Sequence, residues 1–345
     1  MKKLTLLPAL LALLPLTAHA ATSPVEYGAV GDCVTDDTAA FTAWAAAGGE
    51  LDLPCPSVCW KINTVSGIKI PSNTILKGTG CAFPEIQNHS SDGHVLFTYQ
   101  ASNIHIENIG LNGRKDLKTS YGNGLVINES ERVTVKNVNI YQTKSGGLAT
   151  LGGSRFLMLD NIYAYDNGIH GFIIKDTSHS ILTNLFGRGN DSFVINLADT
   201  ASHNIVNGAV TDGGGRELLV IDGHHNVAGF MSGTNTGDNG ATVVGDHNAV
   251  GLSVFRFNAN NGFAVNGDSN VVGLVTANDN NSSAAEHTDF KILEWRSSPA
   301  SNNIAVGIAG GTVLLNHDSN DNRVLGVLPS PVDEGIENKL GDYIN

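Results

Sequence analysis

The chain has 345 residues, of which 41% are hydrophobic and 15% charged, and it carries a formal net charge of −13 at pH 7. A surface this acidic argues against nucleic acid or an anionic membrane as a partner. It also disfavours a polyanionic substrate, unless basic residues cluster locally or a divalent cation bridges the charges.

Residues 1–20 have the pattern of a secretory signal peptide. Lys2 and Lys3 form a charged start, residues 4–16 are an apolar run, and Ala18-His19-Ala20 matches an A-x-A cleavage signal. The run is too short and wrongly flanked for a spanning helix. We therefore expect a secreted protein, either periplasmic or extracellular, with no membrane partner.

All four cysteines lie in residues 21–94, which we interpret as a cap segment. In an exported protein, an even and clustered set predicts two disulfides, with three possible connectivities. A C-x3-C zinc site is the alternative, although no histidine sits beside the pair. We assign no chemistry to these cysteines, which are Cys33, Cys55, Cys59 and Cys81.

The cap segment begins with a predicted strand at 25–27 and a polar turn. Asp36-Asp37-Thr38 can then cap a short helix whose apolar positions fall between 39 and 44. Gly48-Gly49 is expected to end this helix. Three further strand segments, at 51–54, 60–62 and 68–71, lead to the sequence NTILKGTG at 73–80.

Residues 25–80 resemble the first segment of the pectate-lyase-like, right-handed β-helix superfamily. The resemblance is carried by G-A-x-G-D-x-x-x-D-D-T-x-A-F and, further on, by I-x-I-P-S-N-x-x-L-x-G-x-G. That superfamily includes pectin-acting hydrolases, phage tailspike depolymerases and mannuronan epimerases. The resemblance implies that the short helix covers the open end of the coil, and it is specific for the fold more than for an activity. Cys33 departs from the pattern, because the superfamily usually has glycine there.

Residues 95–329 repeat a short apolar strand followed by a turn of Gly, Asn, Asp or Ser. A fixed period of about 20 to 50 residues indicates a stacked solenoid. Leucine-rich repeats are the competing solenoid, but they need L-x-x-L-x-L spacing, whereas valine, isoleucine and glycine dominate here. We predict an all-β fold, a right-handed single-stranded parallel β-helix of roughly ten coils with a short N-terminal capping helix. Residues 330–345 would form an end segment.

Recurring asparagines mark the period. One evenly spaced set is Asn204, Asn226, Asn248 and Asn270, and an earlier set with nearly the same interval is Asn137, Asn161, Asn184 and Asn207. Two polar interruptions break the pattern. Basic residues gather in the first, at 112–123, and the second falls at 277–291.

Functional residues of a parallel β-helix are expected in columns, because equivalent positions of adjacent coils lie about 4.8 Å apart. The turn after the second strand group of three adjacent coils combines acidic, basic and aromatic residues. Turns select aspartate for backbone reasons, whereas histidine and arginine are harder to explain there. Candidate catalytic residues are Asp166, His170, Arg188, Asp191 and Asp212, and candidate substrate-binding residues are Tyr141, Lys144, Tyr165, Arg216 and Glu217, with Tyr163 beside them.

Two chemistries fit such a column. A glycosidase would use two of the three aspartates, one coil apart if retaining and two coils apart if inverting. A lyase would use His170 or Tyr165 to remove the proton α to a uronate carboxylate, with Arg188 or a cation stabilising the charge. The acidic column could hold Ca²⁺ for that purpose.

Family motifs separate these chemistries mostly by what is missing. Asn190-Asp191 resembles the D-D coil of polygalacturonase-type hydrolases with one Asp lost, and Gly213-Gly214-Gly215 lacks their histidine. Residues 166–172, DNGIHGF, resemble mannuronan epimerases, but 145–148, SGGL, stands where their Y-x-x-D-P-H signature belongs.

We therefore expect a secreted enzyme that cleaves an extracellular polysaccharide, foremost a lyase acting at a uronate. A glycoside hydrolase with paired aspartates and a non-catalytic glycan-binding or surface β-helix are the alternatives. The oligomeric state is left open between monomer and trimer.

Four histidines, His203, His224, His225 and His247, recur with the repeat next to an asparagine. A metal ladder is one interpretation of them. We expect solvated turn positions instead, because turns collect such residues.

Overall fold

The computed structural model is a right-handed parallel β-helix, which confirms the predicted fold class. The predicted signal peptide lies outside the described residues, and so does most of the predicted end segment. The described residues are 21–198, 200–280, 288–292, 300–307, 309–310, 313–315, 321–325, 331–333 and 339–340.

The strand predicted at 25–27 is wrong. Pro24–Tyr27 form a 3-10 helix, because Ser23 accepts from a backbone N–H and Glu26 bonds back to the backbone of Ser23. Proline in the first turn also favours a helical start. A second 3-10 helix, Lys115–Leu117, lies in the basic interruption.

The predicted capping helix is confirmed as α1, Thr38–Ala47. Asp37 precedes it without capping it, because its buried carboxylate accepts the N–H groups of Val30 at 2.8 Å and Gly31 at 3.2 Å. Phe41 and Trp44 are buried and pack edge to face, with ring centroids 5.3 Å apart. Since Phe41 also contacts Trp60, α1 covers the end of the apolar core.

The described residues contain 30 strands in two parallel sheets. The short sheet has 12 strands, and each pairs with its counterpart in the next coil. These are β3 (Ile68–Lys69), β6 (Leu96–Tyr99), β8 (Leu125–Asn128), β10 (Leu148–Leu151), β13 (Phe172–Ile174), β16 (Ile195–Leu197), β18 (Leu219–Ile221), β20 (Ala241–Val243), β22 (Phe263–Val265), β24 (Phe290–Ile292), β27 (Val313–Leu315) and β29 (Pro331–Asp333).

The long sheet has 18 strands, and many of them are long and bent. They are β1 (Gly49–Leu53), β2 (Trp60–Ile62), β4 (Thr74–Gly78), β5 (Glu85–Asn88), β7 (Ser102–Asn112), β9 (Glu131–Tyr141), β11 (Ser154–Arg155), β12 (Met158–Tyr165), β14 (Thr177–Ser178), β15 (Ile181–Arg188), β17 (Ile205–Gly214), β19 (Val227–Thr236), β21 (Ala249–Arg256), β23 (Val271–Asn278), β25 (Ile304–Val306), β26 (Ala309–Gly310), β28 (Arg323–Leu325) and β30 (Lys339–Leu340). Because β1 already pairs with β4 and β4 with β7, the coils begin inside the cap segment.

The long strands bend at residues with a left-handed backbone. Asn137, Asn161 and Asn184 have φ of 52°, 51° and 52°, a conformation that asparagine tolerates better than most residues. The amide of Asn161 donates to the side-chain oxygen of Asn137 at 2.7 Å. Asn207 does not continue this column, because it pairs in register with Thr183, and Gly208 takes the bend at φ 81°.

The second asparagine column is buried in the wall of the solenoid. The N–H of Asn204 donates to the side chain of Asn226 at 3.0 Å, and that of Asn226 donates to Asn248 at 2.9 Å. The Asn226 amide donates in turn to the carbonyl of Ala201 at 3.0 Å. These bonds satisfy backbone groups that the turn would otherwise bury unpaired, so the even spacing of this column reports coil stacking.

Both predicted disulfides are present, and the connectivity is Cys33–Cys59 and Cys55–Cys81. Each bond joins residues 26 positions apart, so each links one coil of the cap segment to the next. In the described part of the chain, no helix has the length and apolar character needed to cross a membrane.

The recurrent histidines form a column of stacked, exposed rings. His179, His203, His225 and His247 have ring centroids 5.1, 5.2 and 5.0 Å apart. All four have positive φ, so they occupy left-handed turn positions, as the sequence predicts for His203, His225 and His247. His224 lies beside His225, with the two Nδ1 atoms 3.0 Å apart.

Replacing Asn226 by Ala is expected to lower the free energy of unfolding by roughly 2–4 kcal/mol, because it leaves the N–H of Asn204 and the carbonyl of Ala201 unpaired. Urea denaturation measures the change. Asn207→Ala is the matched control, since Asn207 is exposed in the same strand group. Equal unfolding midpoints for both variants and the unmodified protein would contradict a structural role for the buried column.

Candidate functional site

The ends of four long strands place polar and aromatic side chains in one row. Tyr165 pairs in register with Tyr141 on one side and with Arg188 on the other. The pairing of Gly187 with Thr211 places Asp212 beside Arg188. Successive members of this row are thus one coil apart, or about 4.8 Å.

A second, apolar row runs two residues before the first. Tyr163 pairs with Phe186, and Phe186 pairs with Val210. The rings of Tyr163 and Phe186 stack with centroids 4.5 Å apart and an interplanar angle of 10°. Tyr163 and Val210 remain 42% and 39% exposed, so this row presents an apolar surface to solvent.

The two rows line a groove of about 630 Å³. We call it the aromatic groove, and its lining residues are Tyr163, Tyr165, Asp166, Phe186, Gly187, Arg188, Val210 and Asp212. Six of these side chains project from equivalent strand positions, so the groove runs across the coils rather than along one strand.

The charged groups of the aromatic groove differ in their partners. Within the described chain, the Arg188 guanidinium has no hydrogen bond or ion pair, and neither does the Asp166 carboxylate. Asp212 accepts from Asn235 at 2.9 Å and from Thr234 at 3.4 Å. Arg188 is therefore an exposed cation without a protein partner, next to Tyr165 in register and two residues after Phe186 in its own strand.

Two stacked tyrosines lie at this end of the groove, and both keep their phenolic protons. The rings of Tyr141 and Tyr165 stack with centroids 4.7 Å apart, and the Tyr141 hydroxyl donates to Glu85. Burial raises the pKa of Tyr141, and the bond to Glu85 raises it further. Burial and the charges of Glu85 and Asp166 raise the pKa of Tyr165 as well, so both phenols stay protonated at neutral pH.

The three predicted aspartates surround a patch of glycine backbone. Asp166, Asp191 and Asp212 line a second depression of about 580 Å³ with Gly189 and the glycines at 213–215. Gly189 has φ 60°, and a side chain there would collide with the Asp166 carboxylate. The glycines therefore keep the space between the aspartates open.

The carboxylates of these three aspartates do not all lie within 4.8 Å of one another. Over the residues that the structure describes, the only three potential ligand groups gathered within 4.8 Å are Cys33, Cys59 and His89. Cys33 and Cys59 form a disulfide, so that group does not bind a metal either. Ca²⁺ dependence stays a prediction, and no step below uses it.

The sequence analysis predicts one column for the site residues, but the structure places them on two faces. One face is the aromatic groove, and the other lies beside the short sheet. After the left-handed residue at 166, 189 or 213, the chain turns toward the short sheet. His170 therefore precedes β13, and Arg216 and Glu217 precede β18, away from the aromatic groove. Lys144 lies in the equivalent earlier turn and lines neither cavity described above.

His170 lies in a stack on the short-sheet side. Its ring is parallel to that of Phe193 with centroids 5.1 Å apart, and its Nδ1 accepts the Phe193 N–H at 3.3 Å. The guanidinium of Arg216 covers the Phe193 ring at 4.8 Å. Burial and the charge of Arg216 lower the pKa of His170 to about 4, so the ring is neutral at pH 7 and a weak base.

Several residues of these faces were not predicted. Phe186 and Phe193 are apolar, and the sequence shows them only as strand or turn residues. Phe186 occupies the position in its coil that Tyr163 occupies in the coil before, and this recurrence was the available signal. Asp238 lies one coil after Arg216 and pairs with it at 2.9 Å.

Comparison with known proteins places the chain among β-helical proteins. No protein-family profile matches it. It is 26% identical to mannuronan C5-epimerase AlgE5 of Azotobacter vinelandii over 231 residues, covering 59% of this chain and 23% of AlgE5. It is 27% identical to AlgE2 of the same organism, with the same coverage. The chain thus spans about a quarter of the length of these curated relatives.

Solved structures agree over nearly the whole chain. The A-module of A. vinelandii mannuronan C5-epimerase AlgE4 superposes with a TM-score of 0.79 at 16% identity, covering 93% of this chain and 97% of the module. The chain shares the pectate-lyase-like β-helix fold. Tailspike protein 2 of an Escherichia coli O157:H7 bacteriophage has a TM-score of 0.61 at 14% identity, over 90% of this chain and 43% of the tailspike. PfbA, a surface adhesin of Streptococcus pneumoniae, has a TM-score of 0.57 at 14% identity, over 94% of this chain and 93% of PfbA.

The low pKa of His170 makes stability depend on pH. Because the folded pKa is about 4 and the unfolded value 6.5, the stabilising contribution is complete above pH 6.5 and is lost as pH falls through 4. His170→Asn keeps an acceptor for the Phe193 N–H but cannot titrate. Denaturation at several pH values should show the protein losing roughly 2 kcal/mol more than the variant between pH 6.5 and 4. If the unfolding free energies of the protein and of His170→Asn changed with pH in parallel, the low pKa of His170 would be contradicted.

Proposed function

We propose that this chain is an exported enzyme that binds a uronate-containing polysaccharide along the aromatic groove and cleaves it by β-elimination. The observation that carries the proposal is the unpaired Arg188, which follows the Tyr141–Tyr165 stack in its row and lies two residues after Phe186 of the Tyr163–Phe186 stack. The signal-peptide pattern and the two disulfides support export, because disulfides persist in oxidising compartments.

Both parts of the groove suit an acidic sugar chain. The row of Tyr163, Phe186 and Val210 offers an apolar surface across three coils, against which the apolar faces of pyranose rings can pack. Arginine binds a carboxylate with two parallel hydrogen bonds, so Arg188 can hold one uronate group. Arg188 supplies a local cation for an acidic substrate on a chain of net charge −13.

The residues beside Arg188 can carry out the proton transfers. Arg188 neutralises the uronate carboxylate, which acidifies the proton on C5. The free Asp166 carboxylate takes that proton, and the electrons of the C5–H bond form a C4–C5 double bond as the bond from C4 to the bridging oxygen breaks. The protonated hydroxyl of Tyr165 donates to the departing oxygen, consistent with its raised pKa.

The sequence relatives suggest the substrate class. Mannuronan is a uronate polymer, and C5-epimerisation begins with the same removal of the C5 proton. At the place of the epimerase signature, however, this chain has Gly146, whose N–H donates to Asn123 at 2.7 Å, and Gly147. Since no acid or base projects from those positions, elimination through the aromatic groove is favoured over epimerisation.

A glycoside hydrolase is the second candidate, supported by the spacing of two aspartates. Asp166 and Asp212 belong to coils two apart, on either side of Gly189, so their backbones are separated by roughly 10 Å. Carboxylates two coils apart give the longer of the two separations that glycosidases use, the one of inverting enzymes, which place a water between the carboxylates.

Incubation of the purified protein with a panel of uronate and neutral polysaccharides tests the proposal. Elimination produces an unsaturated uronate that absorbs in the ultraviolet. Arg188→Ala is expected to reduce kcat/KM by roughly 100-fold or more, because it removes the group that stabilises the developing charge. Arg256→Ala is the matched control, since Arg256 is an exposed arginine at the same strand position two coils beyond Asp212, and it should change kcat/KM less than about twofold.

The products distinguish the alternatives. New reducing ends without ultraviolet absorbance, abolished by Asp166→Asn and Asp212→Asn, would replace the lyase by the hydrolase. Incorporation of solvent deuterium at C5 without chain shortening would indicate epimerisation. If the protein binds a polymer and the polymer stays intact, the non-catalytic glycan-binding β-helix replaces both enzyme candidates.

A further inference from the structure

A separate cavity of about 430 Å³ opens on the short sheet. Its floor is a row of outward side chains in register, Val220, Thr242, Ala264 and Lys291. Glu217 lines this cavity and lies two residues before the start of β18. We call this the Glu217 cavity. It shares no lining residue with the aromatic groove.

Glu217 is buried without the partners that a structural carboxylate has. Its side chain is 5% exposed, and its Oε2 atom has no hydrogen-bond partner. Oε1 receives only long contacts, from Asn239 at 3.4 Å and Thr242 at 3.5 Å. Burial and the charge of Asp238 raise the pKa of Glu217 to about 7. A buried carboxyl oxygen without a hydrogen-bond partner lowers the stability of the fold. Its presence here points to a ligand that would supply the missing hydrogen bond.

The charged groups next to Glu217 neutralise one another. Arg216 binds Asp238 with Nη2–Oδ2 and Nε–Oδ2 distances of 2.9 and 3.3 Å, and its Nε lies 3.6 Å from Glu217 Oε2. Asp238 accepts a further bond from the Asn260 amide at 2.6 Å. Asn266 also lines the cavity, and its buried side-chain oxygen has no partner. The side-chain oxygens Glu217 Oε2 and Asn266 Oδ1 thus lack hydrogen-bond partners, while the charge of Arg216 is neutralised by Asp238.

We propose that the Glu217 cavity binds a neutral, hydroxyl-rich sugar residue. The Glu217 and Asn266 side chains would exchange hydrogen bonds with sugar hydroxyls. A uronate is disfavoured by the carboxyl groups of Glu217 and Asp238. A metal ion is disfavoured because, in the part of the chain that is described, three potential ligand groups do not gather within 4.8 Å here.

Ligand-observed NMR and calorimetry with a panel of neutral monosaccharides and short oligosaccharides test this site. At least one member should bind the unmodified protein, and Glu217→Ala should weaken that binding by roughly 10-fold or more. Glu217→Gln should keep binding, since an amide still donates and accepts. Arg188→Ala should leave binding unchanged, which separates this site from the proposed enzyme site. Absence of binding by the whole panel, or unchanged binding by Glu217→Ala, would overturn the proposal.

The stability of Glu217→Gln provides an independent readout. Because the folded pKa is raised to about 7 from 4.5, the carboxyl contributes its full stability below pH 4.5 and loses it as pH rises through 7. Glu217→Gln should thus unfold at a higher urea concentration than the unmodified protein at pH 8, and at nearly the same one at pH 4.5. A less stable variant at pH 8 would show that the carboxylate serves the fold, and would contradict a ligand role.

Discussion

The repeated hydrogen bonding between coils is the interaction on which the rest of this structure depends. Every coil is held by parallel strand pairs, and the buried column from Asn204 to Asn270 satisfies the backbone of the turns between them. This ladder fixes the distance between equivalent residues at about 4.8 Å. Because the spacing cannot stretch, side chains that belong to one column must stack, and the paired rings of Tyr163 and Phe186 are one result.

The same regularity separates the functional faces. A left-handed residue lies at the end of β12, β15 and β17, so side chains several residues beyond it belong to a different surface although they are close in sequence. Tyr165 and Arg188 precede the turn and line the aromatic groove, whereas His170 and Glu217 follow it and lie by the short sheet. An exposed arginine without a partner and a buried carboxyl whose Oε2 atom accepts no hydrogen bond thus arise on two faces of one scaffold.

The fold could be predicted from the sequence because its signals are local and repeated. The period, the cap motif around Asp37 and the even set of cysteines each specify structure without knowledge of distant contacts. The division of the candidate site between the aromatic groove and the short-sheet face could not be predicted. It depends on how far each side chain lies, along the chain, from a single left-handed turn residue. Asn207 shows the same limit, since it matches the period and yet lies one position away from the bend that Gly208 takes.

A crystal structure with a bound oligouronate tests the central claim, that the aromatic groove holds an acidic glycan, most directly. The account predicts pyranose rings against Tyr163 and Phe186, with a sugar carboxylate in hydrogen-bond contact with the Arg188 guanidinium. An oligouronate lying instead over the short sheet beside Gly146 and His170, with the aromatic groove empty, would contradict it.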